Sequence, residues 1–408
     1  MSNDATVDAP ITITHKGFVD YAFALWLDSL RTKQPCKTLC LLGPPGIGKS
    51  AVAYDLSKRM SDYVKSNPSI VFGDSKAPSA NEIKAVCRLL DFSSMLPEDL
   101  NGLPFREGQF TRYCPQEWTA ELCDKFAFGV VVQDDLPAAA PSMHTAGRQM
   151  ALERRIHEHR FAPGILVVVT GNRREDKSAA STLPAHFRNS VCLLGIEPDL
   201  AEWKKWYGAQ EHHAGIVSAF LEWKPGLLSE LPKAQDKMGA FATPRQWASL
   251  GRQFKAAESC GSDVLLAVAS GLVGKGNAST FCGFVEIMNK LVNPELVFDN
   301  PEQALPNPSK TLDDPSKQIA MTCALGEIAA SRWKKQKGKD RNDVPVKLLH
   351  ALAHVCEGIG EYSATGVQTF LDSGGNLTAI AKVARDKRGD PVIGKMLSHI
   401  KAALLGGS

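Results

Sequence analysis

Residues 43 to 50 read GPPGIGKS, and no other stretch limits the fold as tightly. An apolar run, TLCLL, leads into it, and an apolar-periodic run, AVAYDLSKRM, leads away. Strand, glycine-proline turn and helix in that order make a loop whose backbone N–H groups curl around an anion. The helix aims the positive end of its dipole at the same point. The spacing is G-x-x-x-x-G-K-S, with Gly43, Gly48, Lys49 and Ser50 in their places. The loop formed by Gly43, Pro44, Pro45, Gly46, Ile47, Gly48, Lys49, Ser50 and Ala51 is therefore expected to cradle nucleotide phosphates. Lys49 would reach the β- and γ-phosphates of ATP, and the Ser50 hydroxyl would ligate Mg²⁺.

A second stretch, GVVVQDD (residues 129 to 135), ends a β-branched run in two adjacent carboxylates. Like charges side by side repel, so a cation is expected there. Asp134 would hold the metal and its waters, and Asp135 would orient and deprotonate an attacking water. The run GILVVVTGN (164 to 172) ends the same way in Asn172, placed to hydrogen-bond both a γ-phosphate and that water.

Up to about residue 197 apolar runs with turn signals at both ends alternate with helical patterns, the look of buried parallel strands covered by helices on both faces. From 198 to 291 the patterning is helical throughout. Residues 292 to 315 are proline-rich and read as a linker, and 316 to 408 read as a further helical segment. No internal repeat is evident. A chain of 408 residues has room for two or three packed units, and a net charge of +3 exerts no whole-molecule pull on nucleic acid or membrane. No apolar run approaches the ~20 residues needed to span a bilayer. The polar, acidic start MSNDATVDAP is wrong for a secretory signal, and the ten cysteines show no C-x-x-C pair. A cytoplasmic location is the expectation.

With the phosphate loop, the acid pair and Asn172 in this order and a helical region behind them, the chain resembles the AAA+ ATPases, and within them the MoxR branch. LPEDLNGLPF (96 to 105) is similar to that branch's D-L-x-G-x-P signature, which precedes an inserted hairpin, here at about 100 to 120. DDLPAAAPSMHTAGRQMALERRI resembles its stretch running from the acid pair to E-R-R-I, and FATPRQW (241 to 247) its S/T-P-R motif. The resemblance, over about residues 10 to 260, implies an α/β nucleotide domain and an α-helical lid carrying Arg245 over the γ-phosphate; the helical patterning of 316 to 408 adds a helical C-terminal extension. It also implies a homo-oligomeric, hexameric ring with ATP bound between subunits, which remodels a protein partner, often one of von Willebrand factor A type.

Two departures stand out. Many relatives have Asp-Glu where this chain has Asp134-Asp135; the shorter base implies slower hydrolysis, since about 1 Å of misplacement can cost roughly 100-fold. In LPAHFRNSV (183 to 191), Ser190 falls where the family places an arginine that acts in trans. Arg188 ranks first as its substitute, ahead of Arg173 or Arg174, and a handicapped site is the other reading. Two further classes stay open: a nucleic-acid motor or loader, and an ATP-gated scaffold with weak hydrolysis.

Weaker signals are read more plainly. SRWKKQKGKDR (331 to 341) is a solvated cationic run before it is a nucleic-acid grip. His350 and His354 sit at i, i+4 without a third ligand in register. His157 and His159 would share one face of a hairpin. Phe110 and Tyr113 would either touch a substrate or pack their hairpin down.

Overall fold

The computed structural model describes residues 11–173, 183–210, 214–231, 239–290, 292–356 and 360–386. The chain divides into two compact units, Met1–Asp199 and Leu200–Ser408.

The first unit is an α/β layer structure. In chain order it holds β1 (Thr12–Ile13), α1 (His15–Thr32), β2 (Leu39–Leu42), α2 (Ala51–Ser66), α3 (Ser69–Phe72), β3 (Val86–Asp91) and α4 (Pro97–Asn101). Then come β4 (Leu103–Glu107), β5 (Phe110–Cys114), α5 (Glu117–Cys123), β6 (Phe128–Asp134), α6 (Pro141–Glu153), β7 (Arg155–Ile156), β8 (His159–Arg160), β9 (Gly164–Gly171), α7 (Ala185–Arg188) and β10 (Cys192–Ile196). Six strands form one sheet in the order β1-β10-β2-β9-β6-β3, and every pairing in it is parallel.

Alternation along the strands sorts their side chains into two cores. Leu39 and Leu41 of β2, Val130 and Val132 of β6, and Leu166 and Val168 of β9 pack on one face with α1 and α2. Cys40, Val131, Ile165, Val167 and Val169 pack on the other with Met143 and Met150 of α6. A sheet buried on both faces needs strands apolar at every position, which is why the central runs look like VVV rather than alternating. Thr14 caps α1 by accepting from the Gly17 amide, and α1 locks to the sheet through Trp26, whose indole N–H donates to Gly164 O at 2.8 Å.

Two small hairpins interrupt this scheme. β4 and β5 pair antiparallel from Leu103↔Cys114 to Glu107↔Phe110, with Leu103, Phe105 and Phe110 exposed. β7 and β8 are only two residues each. His159 lies in β8, but His157 occupies the turn at φ 50°, so the expected sharing of one strand face by the two histidines does not occur. Instead the His157 ring stacks on Tyr113 of β5, centroids 4.4 Å apart, and joins one hairpin to the other.

The second unit is helical: α8 (Leu200–Gly208), α9 (Gly215–Trp223), α10 (Pro244–Ser259), α11 (Ser262–Val273), α12 (Lys275–Asn289), α13 (Pro294–Asp299), α14 (Pro301–Ala304), α15 (Pro308–Thr311), α16 (Pro315–Lys335), α17 (Gly338–Val355), α18 (Gly360–Asp372) and α19 (Leu377–Asp386). It has two cores. Helices α8 to α12 build one around Trp203, Phe220, Trp247, Phe281 and Phe284; α13 to α19 build the other around Phe298, Leu325, Trp333, Leu348 and Phe370. Helix α16 serves both, giving Ile319, Ala320 and Cys323 to the first and Met321, Leu325 and Ala329 to the second.

The segment 292–315, expected to be a linker, is folded. Asn293-Pro294, Asn300-Pro301, Asn307-Pro308 and Asp314-Pro315 recur every seven residues, a repeat not recognised in the sequence. Each proline begins a helix, where its missing N–H costs nothing. Phe298, Leu305 and Leu312, also seven apart, are each buried, one at every short turn. Flanking helices satisfy the exposed carbonyls: His354 Nε2 lies 2.7 Å from Leu305 O, and Gln318 Nε2 donates to Leu312 O at 2.9 Å. That bond explains His354 without a metal. Among the described residues no group of three metal-ligating His, Cys, Asp or Glu side chains comes together.

Candidate functional site

The loop from Gly43 to Ser50 sits at the carboxyl end of β2, inside the sheet, where parallel α/β sheets place their ligands. Its glycines are needed for two different reasons. Gly46 and Gly48 have φ of 73° and 95°, which side chains with a Cβ rarely adopt. At Gly43 a Cβ would lie 2.4 Å from Ile196 O, so the first glycine lets the loop pass β10. Pro44, Pro45 and Ile47 complete the curve, and α2 starts at Ala51 with no acidic residue in its first turn to repel an anion.

Ser50 stands in the capping position of α2 but makes no capping bond. Its hydroxyl donates instead to Asp134 Oδ2 at 2.7 Å. A serine in that position is usually worth about 1 kcal/mol to a helix, so the contact forgoes a stabilising interaction. Lys49 is buried, 8 % exposed, and its ammonium donates to Gly43 O at 2.8 Å, Pro44 O at 2.7 Å and Asn172 Oδ1 at 2.8 Å. At the tips of three adjacent strands, two hydrogen-bonded pairs thus form from consecutive loop residues: Lys49 with Asn172 and Ser50 with Asp134.

Asp134 and Asp135, adjacent in sequence, differ in backbone. Asp134 ends β6 in extended geometry; Asp135 turns into the left-handed region, φ 51° and ψ 33°. Such a turn costs a non-glycine residue about 1–2 kcal/mol, aspartate being among those that visit it most readily. A short 3₁₀ turn, Leu136–Ala138, follows and lies against the end of β9: a Cβ on Gly171 would meet Pro137 Cδ at 2.3 Å. The reversal sends the second carboxylate off the alternation of the strand.

Three residues near the site carried no assignment in the sequence. Thr170 of β9 donates its hydroxyl to Asp134 Oδ1. Its signal was positional, since β6 and β9 pair in parallel with Gln133 opposite Val169, which brings the next residues, Asp134 and Thr170, side by side. Gln133 is buried, donating to Gly147 O at 3.0 Å. His15, first residue of α1, holds Asp55 of α2 at 2.9 Å and borders Gly48.

The arginines fall in different places. Arg173 is 14 % exposed and pairs with Glu197 at 3.8 Å within the same unit. Arg188 is exposed at the end of α7 and makes no ion pair among the described residues. Ser190 donates to His186 O at 2.7 Å. Arg174 lies outside the described residues. Arg245 belongs to the second unit, exposed in the first turn of α10, which Thr243 caps by accepting from the Gln246 amide.

The strand order and the loop at the tip of β2 make the first unit an α/β fold with a phosphate-type loop, and the second unit is a helical extension. No protein-family model matches the chain, and no curated protein matches it in sequence. Among solved structures it is similar to the Thermotoga maritima RuvB Holliday junction branch migration motor, at 12% identity over 74% of this chain and 84% of that one, TM-score 0.33. It is also similar to Cdc6p from Pyrobaculum aerophilum, at 10% identity over 94% of each, TM-score 0.36. A third is NtrX from Brucella abortus in complex with ADP, at 12% identity over 90% of this chain and 67% of that one, TM-score 0.28. At these levels the likenesses transfer no activity, substrate or partner to this chain.

Proposed function

We propose that the chain is a Mg²⁺-dependent ATPase of the MoxR type, working as a homo-oligomeric, hexameric ring that remodels a protein partner. The observation that carries the reading is the direct Ser50–Asp134 contact beside the buried Lys49. One hydroxyl and one carboxylate are the hard oxygen donors that suit Mg²⁺, an ion that keeps several waters and takes few protein ligands. When bound, Mg²⁺ neutralises charge on the phosphate oxygens. Glycine amides of the loop and Lys49 bind the phosphates, Asp135 takes the proton of the attacking water, and Asn172 orients that water. Arg245 would close over the nucleotide from the helical region 198–291, acting as a lid on the nucleotide domain, 1–197, with 316–408 as an extension.

Arg188 is the arginine offered to the neighbouring subunit, because Arg173 is turned inward onto Glu197 while Arg188 is exposed and without an ion pair among the described residues. A von Willebrand factor A-type partner and a cytoplasmic setting rest on the resemblance alone. The nucleic-acid reading is weakened by one observation: Arg332, inside the basic run, is already forked onto Asp299 at 2.6 and 2.8 Å. No helix among the described residues is long and apolar enough to cross a membrane.

The test is steady-state ATP hydrolysis by the purified protein over a range of protein concentrations. Specific activity that climbs steeply with concentration is the expected result, and Arg188→Ala should remove about 10³-fold or more of it. Asp135→Asn should lower turnover by about 10²- to 10⁴-fold while nucleotide binding persists. Activity independent of concentration and of Arg188 would overturn the shared-site reading. Binding with no hydrolysis and nearly equal assembly of wild type and Asp135→Asn would favour an ATP-gated scaffold.

A further inference from the structure

A cavity of about 350 Å³ opens at the end of the sheet opposite the phosphate loop, where β2 and β10 begin. Cys36 and Lys37 enter it from the segment before β2, Arg154 from the end of α6, and Asn189 and Ser190 from the turn after α7. No acidic residue lines it. Arg154 closes α6 in the left-handed region, φ 51° and ψ 46°. Its guanidinium lies in the cavity wall with Nη1 3.9 Å from Cys36 Sγ, and Nη2, turned away from solvent, has no acceptor among the described residues. Among the described residues no carboxylate pairs with it, and the neighbouring Glu153 is taken by Arg155.

Buried charges are ordinarily paired, because an uncompensated one forfeits its hydration. Burial presses the Arg154 pKa below its ordinary value, but arginine does not shed its proton in proteins. The charge therefore stays, and among the described residues it has no counter-charge. On the rim, Lys37 is exposed without an ion pair and the Asn189 side chain is exposed without a hydrogen bond, both among the described residues. Ser190 has spent its proton on His186 O and adds only an acceptor.

We propose that this cavity binds a phosphate-type oxyanion, with Arg154 as its counter-charge and Lys37 and Asn189 as rim donors. The site is separate from the nucleotide loop and does not depend on the ATPase reading. The anion is either inorganic phosphate or the phosphate of a nucleotide.

Cys36 reports occupancy, since its thiol shares the cavity with Arg154. The experiment uses full-length protein carrying Lys49→Ala, so that the loop at the other end of the sheet does not compete. Iodoacetamide labelling of Cys36 is followed by peptide mass spectrometry against inorganic phosphate, with chloride at matched ionic strength as control. Phosphate is expected to slow labelling of Cys36 saturably and to leave the exposed Cys114 and Cys260 unchanged. Asn189→Asp and Lys37→Glu, both at exposed positions, should each raise the half-protecting concentration by about tenfold or more, the scale of a lost hydrogen bond to a charged group. AMP as second probe separates the sources: protection at lower concentration than phosphate marks a nucleotide phosphate, and protection by phosphate alone marks the free anion. Labelling of Cys36 that neither probe slows, or that is slowed equally in wild-type and both rim variants, would overturn the proposal.

Discussion

Gly43 and Gly171 hold the candidate site together by what they lack. A Cβ at Gly43 would strike a backbone carbonyl, which has nowhere to go; a Cβ at Gly171 would strike the Pro137 ring, which forms the turn carrying Asp135. Gly43→Ala and Gly171→Ala are each expected to cost about 1–3 kcal/mol by overpacking, read as a lowered midpoint in urea denaturation. Only the first was legible in the sequence, as part of a spaced motif. The second depends on a proline in another strand's turn, and nothing in TGN announces it. Thr170 is a similar case. Its hydroxyl fixes the metal-side carboxylate, so Thr170→Val should raise the Mg²⁺ concentration for half-maximal hydrolysis by about 10- to 100-fold, measured by Mg²⁺ titration. Strand register alone pairs it with Asp134, and register is set by the whole sheet.

At the scale of elements, β6 and β9 could be read from β-branched runs because burial on both faces leaves those strands no choice of composition. The proline-rich segment could not. Proline punctuates loops and begins helices equally well, and only the buried Phe298, Leu305 and Leu312 reveal which it does here. Arg332 pins this segment, bridging Asp299 and Glu295 and stacking over Phe298. The hydrogen bonds from Arg332 hold the Asp299 carboxyl down at about 2, below its ordinary 3.8. A depressed carboxylate stabilises the fold above its unfolded pKa and loses that contribution as pH falls through the folded one. Amide exchange in 294–312 should therefore accelerate between pH 3.8 and about 2, after correction for intrinsic rates, and much less so in Arg332→Met. The hairpins make a parallel case. Tyr113→Ala removes the stack on His157, an aromatic contact worth about 0.5–1.5 kcal/mol, and should raise exchange in β4 and β5 by up to about tenfold.

For the whole molecule, the two units carry separate cores, each built from its own residues. Residues 200–408 produced alone should unfold cooperatively on heating, with the near-ultraviolet dichroism of a packed Trp203, Trp247 and Phe281 cluster. A broad, non-cooperative transition would show that the helical unit needs the rest of the chain. Inside that unit, α16 has a consequence for anyone shortening the protein. Because one helix fills the seam of both cores, a chain ending at residue 315 would leave Phe220 and Phe284 beside an apolar trough where Ile319, Ala320 and Cys323 belong. Such a trough is the kind of exposed surface that drives self-association. The trimmed protein would collect in inclusion bodies.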